Sequence, residues 1–305
     1  MYDNRLISNL IISYVLKKSM NTIISGQTIL LSDQFASIKK TIEELPEFSN
    51  LLKICLFNNE QKSLTFKTEK IHPKYIKNNI ISVMLLFSNP HPISVKTGIF
   101  LSEPRSRSFW QRLFDCSSMN PPEKLKKTIT SWTSSSPNIL SEYLLKGEYS
   151  DKIMLFFDCL EALPTNQYSD LKKLFSGKEG RKLRKQALQN PGYKNIIGIS
   201  QRNYIKSWIV FSAEAYRYIV GEKDIAKYAP DRICKAIDDY TINKNTNIFW
   251  ESLKDLKKKI RHNTYEVTVY LSLIARRKNW EARNGEKYFT IMLNQIFDHI
   301  LVNYL

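Results

Sequence analysis

The chain has 305 residues, of which 43% are hydrophobic, 12% aromatic and 25% charged, with 9 glycines and 11 prolines. That balance supplies a core and excludes a wholly disordered, collagenous or linker-dominated protein. Forty-six Lys and Arg against 29 Asp and Glu leave a formal net charge of +17, which bears on partners and association rather than on fold.

The first stretch, with Leu6-Ile7 and Leu10-Ile11-Ile12 closed by Lys17-Lys18, reads as a core helix. Asp3 and Asn9 interrupt it and no small-residue cleavage site follows, which argues against an export signal. Thr22 to Leu31, around Gly26, suggests a short hairpin. Ser32-Asp33 then starts a helix with Phe35, Ile38 and Ile42 on one face, broken at Pro46. The β-rich runs at 54–57, 64–66 and 80–87 predict strands. Asn89-Pro90-His91-Pro92 predicts a loop, because each proline removes a donor and fixes φ.

From about residue 105 the pattern reads as helical. Asn120-Pro121-Pro122-Glu123 carries the signs of a helix start. Ser200 is expected to open a helix with Ile205, Trp208, Ile209, Tyr216 and Ile219 on one face and Gly221 past its end. Another starts at Pro230-Asp231, with Ile233 and Ile237 one turn apart. Phe249, Leu253, Leu256 and Ile260 give 246–261 a three-four spacing, and Phe289, Met292, Leu293, Ile296 and Ile300 give 284–304 the stripe of a docking helix. The expected architecture is mainly α: a multi-helix, bundle-like body with a small α+β N-terminal region. The mixed region spans 1–104 and the helical domain 105–305, with the serine run at 133–137 as the other place for a boundary.

The positive charge is concentrated in three places. Lys172, Lys173, Lys178, Arg181, Lys182, Arg184 and Lys185 crowd a segment in which Gly177 and Gly180 suggest a flexible loop leading into a short basic helix. Exposed backbone amides and mobile cations there suit a phosphate backbone. On the expected 246–261 helix, Lys254, Lys257, Lys258 and Arg261 would form a row beside the apolar one. Arg202 and Lys206 would join from the 200–220 helix, and Arg276 and Arg277 from a third cluster.

Signatures of chemistry are missing. The four histidines, His72, His91, His262 and His299, have no metal-ligand spacing, and no HExxH, Walker-type loop or GxSxG occurs. Cys55, Cys116, Cys159 and Cys234 are isolated among mostly apolar neighbours, as buried thiols are. No apolar run approaches the roughly 18 residues of a membrane span. The sequence thus reads as a non-enzymatic nucleic-acid-binding protein of the cytoplasm, with no cofactor, no catalytic residues and no metal. It would act on RNA or DNA through phosphate neutralisation. The alternative is an interaction protein for an acidic protein partner or an anionic membrane surface. An enzyme whose site is dispersed along the chain is the third possibility.

Overall fold

In the computed structural model, which describes residues 24–74, 79–221, 229–272 and 285–304, two β-sheets organise the chain. The smaller is antiparallel, with β3 (Ser63–Glu69) between β1 (Ile24–Leu30) and β2 (Cys55–Asn58). Phe66 pairs with Gln27 on one side and Cys55 on the other. The expected hairpin around Gly26 is one unbroken strand. Helix α1 (Phe35–Glu44) buries Ile38 and Ile42 as its spacing predicts, and the short α2 (Ser49–Leu52) adds Leu51. The core of this sheet also takes in Leu171, Leu174, Phe175 and Leu188 from much later in the chain.

The larger sheet has five strands in the order β5-β4-β6-β8-β7. Strands β4 (Ile81–Phe87), β5 (Ile153–Cys159), β6 (Ser207–Val210) and β8 (Tyr265–Leu271) run parallel. β7 (Lys257–His262) closes one edge antiparallel to β8, through a turn at Asn263 with φ 56°. Between β4 and β5 come α3 (Pro92–Thr97), α4 (Ser108–Phe114), α5 (Glu123–Thr130) and α6 (Ser136–Lys146). Between β5 and β6 come α7 (Tyr168–Leu174), α8 (Gly177–Arg184), a π-helical turn at Lys185–Gln189 and α9 (Asn190–Arg202). α10 (Ala213–Val220), α11 (Ala229–Asn243) and α12 (Thr246–Ser252) precede β7, and α13 (Gly285–Tyr304) follows β8. The Phe87, Phe157 and Phe211 rings meet α4 at Phe109 and Trp110, and Phe211 meets α13 at Phe289. Trp208 points to the opposite face and donates to Ser200 of α9. Helices therefore cover both faces. Among the described residues, no helix is long and apolar enough to cross a membrane.

This corrects the mainly α expectation: the fold is α/β, a mixed five-stranded sheet plus a three-stranded one. The reason is physical. A parallel strand covered on both faces is apolar throughout rather than alternating, and every residue of β5 is buried. The predicted 200–220 helix is really three pieces. α9 ends at Arg202, Tyr204 takes φ 53°, β6 follows, and Ser212 caps α10 by accepting the Ala215 amide. The predicted 246–261 helix stops at Ser252, and Lys257 to His262 extend as β7. In place of the expected flexible loop leading into a short basic helix at 172–185, α7 and α8 are separated only by Phe175 and Ser176, and Gly180 lies where a Cβ would fall 2.7 Å from the Phe175 carbonyl carbon. The helices at 229–243 and 285–304 form where expected.

Candidate functional site: a crevice at the carboxyl edge of the parallel sheet

From β4 the chain moves to one side to form β5, then crosses to the other side for β6. In open α/β sheets, the loops at the carboxyl ends of strands separate at such a reversal and leave a crevice where ligands bind. A crevice of about 630 Å³ lies there. Its base is aromatic: Phe87 ends β4, Phe211 follows β6, and their rings stack at 5.1 Å and 20°. Phe100 stacks on Phe87 from the segment after α3, at 5.5 Å and 29°.

Polar groups stand around this base. The loop read from Asn89-Pro90-His91-Pro92 is one wall. Asn89 donates to Thr165 Oγ1 at 2.8 Å and to the Pro90 carbonyl at 3.0 Å, so its amide is pinned. The Leu160, Glu161 and Thr165 amides donate to the Phe87, Ser88 and Pro90 carbonyls, holding the β4 and β5 loops together. His91 caps α3 by accepting the Ile93 amide at Nδ1, 3.2 Å away. In the neutral ring the proton therefore sits on Nε2. On the opposite wall, Ser106 donates to Glu103 at 2.9 Å. Glu69, at the end of β3, brings the small sheet into the site. Burial holds its carboxyl well above the ordinary value of 4.5.

Tyr168, the first residue of α7, closes one end. Over its ring lie the Arg184 guanidinium at 4.8 Å and the Lys172 ammonium at 5.3 Å. Both were singled out in the sequence, but they differ here. Lys172 is exposed and reaches Glu214 at 3.7 Å. Arg184 is buried, forming two 2.6 Å hydrogen bonds to the fully buried Glu161, so its charge is neutralised inside the fold.

The other sequence candidates are spread out. Lys173 pairs with Glu47 at 3.0 Å. Lys178, Arg181, Lys182 and Lys185 are exposed on α8 and the turn after it, with no carboxylate partner among the described residues. Arg202 and Lys206 lie at the amino edge of the sheet, where Lys206 sits 4.2 Å over the Tyr265 ring. Lys254 pairs with Glu251 at 2.9 Å. Lys257, Lys258 and Arg261 are on β7, three strands from β4, or about 14 Å at the usual spacing. Arg276 and Arg277 lie outside the described residues. The structure thus brings Lys172 and Arg184 to the Tyr168 end of the crevice, while the α8 cations lie exposed on the next helix and the β7 and α9 groups lie elsewhere.

Sequence reading missed the crevice itself. Phe87 only ends an apolar run and Phe100 and Phe211 carry no local mark, so only the strand order brings them together. The one local signal was the Asn-Pro-His-Pro loop directly after an apolar run. A shallower groove of about 450 Å³ between α5 and α6 gathers no buried titratable group. Among the described residues, no three His, Cys, Asp or Glu side chains converge as a metal site requires. No protein-family model matches the chain, and no curated protein is significantly similar to it.

Proposed function

We propose that this chain binds nucleic acid and draws a single unstacked base into the crevice. The observation that carries this reading is the stacked Phe87, Phe100 and Phe211 floor at the strand reversal of a strongly basic chain. A planar base finds a face to lie against, and proteins that handle single bases take them out of the stack into pockets of this kind. Lys172 stands at the Tyr168 end, and with the exposed Lys178, Arg181, Lys182 and Lys185 of the following helix and turn it would hold the flanking phosphates.

About five phosphate contacts on a single strand give a salt slope near −3.5, or about a hundredfold loss of affinity between about 50 and 200 mM salt. Fluorescence anisotropy on a short single-stranded oligonucleotide measures this. The paired reversal Lys178→Glu/Lys182→Glu should lower affinity at least tenfold and flatten the slope by roughly 1.4. Absence of binding at low salt sinks the proposal. So does equal retention on neutral beads, or a preference for anionic vesicles or an acidic polypeptide over the oligonucleotide.

A second reading, an enzyme acting on the captured nucleotide, is favoured by one observation. His91, with its cap bond fixing the tautomer, shares the crevice with the Glu103–Ser106 pair, as proton-transfer chemistry needs. Mass spectrometry of oligonucleotides incubated with the protein tests it. A changed mass that disappears in His91→Gln supports it, and unchanged oligonucleotides across all four bases reject it.

A further inference from the structure

We propose that Glu69 and Ser94 form the inner polar end of the crevice and take the hydrogen-bonding edge of a neutral heterocyclic base. This rests on the base-capture reading and deepens it by naming the groups that meet the ligand. Both residues line the crevice, yet they are nearly inaccessible, at 2% and 1% exposure. Neither oxygen of Glu69 and not the Ser94 hydroxyl has a hydrogen-bond partner among the described residues. Burying such groups without partners forfeits their hydration with nothing in return, so partnerless buried polar atoms are few in folded chains. Two of them beside one aromatic-floored crevice are what a site looks like when its ligand supplies the missing partners.

The chemistry of the pair narrows that ligand. Burial disfavours the charged form of Glu69, and in its protonated form the acid has a donor on one oxygen and an acceptor on the other. Ser94 adds a hydroxyl that can do either. A heterocyclic edge with an N–H beside a carbonyl or ring nitrogen presents the complementary order. A phosphate or carboxylate presents acceptors alone and leaves the acceptor oxygen of Glu69 without a donor. The phosphates therefore stay at the cationic Tyr168 end, and the base enters first.

The test compares the full chain on an oligothymidylate of about fifteen residues and on its fully abasic counterpart, by anisotropy at low salt. Wild type should prefer the base-bearing strand by at least tenfold. Glu69→Gln, whose amide keeps a donor beside an acceptor, should retain that preference. Glu69→Leu should lose about tenfold of it, the worth of one well-made hydrogen bond to a buried group, and Ser94→Ala several-fold. An unfolding midpoint for Glu69→Leu at or above wild type shows that the loss is not one of folding. A Leu variant that keeps the full preference overturns the assignment of Glu69 while leaving base capture intact. Loss in Gln equal to that in Leu overturns the neutral-acid role. A wild type without any preference sinks base capture itself.

Discussion

Gly192, in the first turn of α9, lies where an added Cβ would fall 1.9 Å from the Leu160 carbonyl oxygen. No rotamer relieves a clash between two backbones, so α9 would have to lift from the loop after β5. Gly192→Ala should cost about 3 kcal/mol or more, lowering the urea midpoint, whereas Gly26→Ala, with nothing within 4 Å, should change it by less than about 1 kcal/mol. Equal effects would show that α9 does not hold this close approach. The residue scale is also where the sequence was least informative about function. Glu69 stands in Lys67-Thr68-Glu69-Lys70, a run that reads as polar surface. Its burial follows from the packing of β3 against α3, a long-range fact without a local mark. The cysteines were easier to read. All four are buried, and burial pushes the Cys55 thiol up to about 12.

At the scale of elements, the readable ones have a one-sided burial. α1, α11 and α13 show a three-four stripe because one face meets the core and the other does not. The elements that were misread have no such asymmetry. β5 is buried on both sides, β6 has only four residues, and β7 carries cations at successive positions. β8 was the missed opportunity: Tyr265, Val267, Val269 and Leu271 are buried and alternate with more polar residues.

The joint between α13 and β7 is a product of that misreading, and it carries a prediction. His299 packs 4.9 Å from the Trp250 ring, and its Nε2 meets the Lys257 ammonium at 3.1 Å. Burial first, and the Lys257 charge second, lower its titration from 6.5 to about 4. In the unfolded chain the imidazole takes up its proton near 6.5, before the folded one does. The folded state is thus favoured most above pH 6.5 and loses that advantage as pH falls towards 4. Urea unfolding of wild type should weaken across this window, and His299→Phe should remove part of the slope. An unchanged slope in the variant would place the pH dependence elsewhere.

At the scale of the whole molecule, the charge excess has more than one use. Arg184 is internal, Lys173 and Lys254 face carboxylates, and the α8 group is open to solvent. Charge counted along the chain could not separate these roles, because the strand order decides which cations share a surface. β7 adds one more. It is the outermost strand of the large sheet, so one side of its backbone has no neighbouring strand among the described residues. Its run of Lys257, Lys258 and Lys259 makes the approach of an identical strand repulsive, a device by which sheets avoid growing into fibres. Removing two of those charges, in Lys258→Gln/Lys259→Gln, should leave oligonucleotide affinity within about twofold while light scattering rises with time and concentration. The positive charge of this chain would then serve solitude as much as capture, and the edge strand would be what keeps one copy from templating the next.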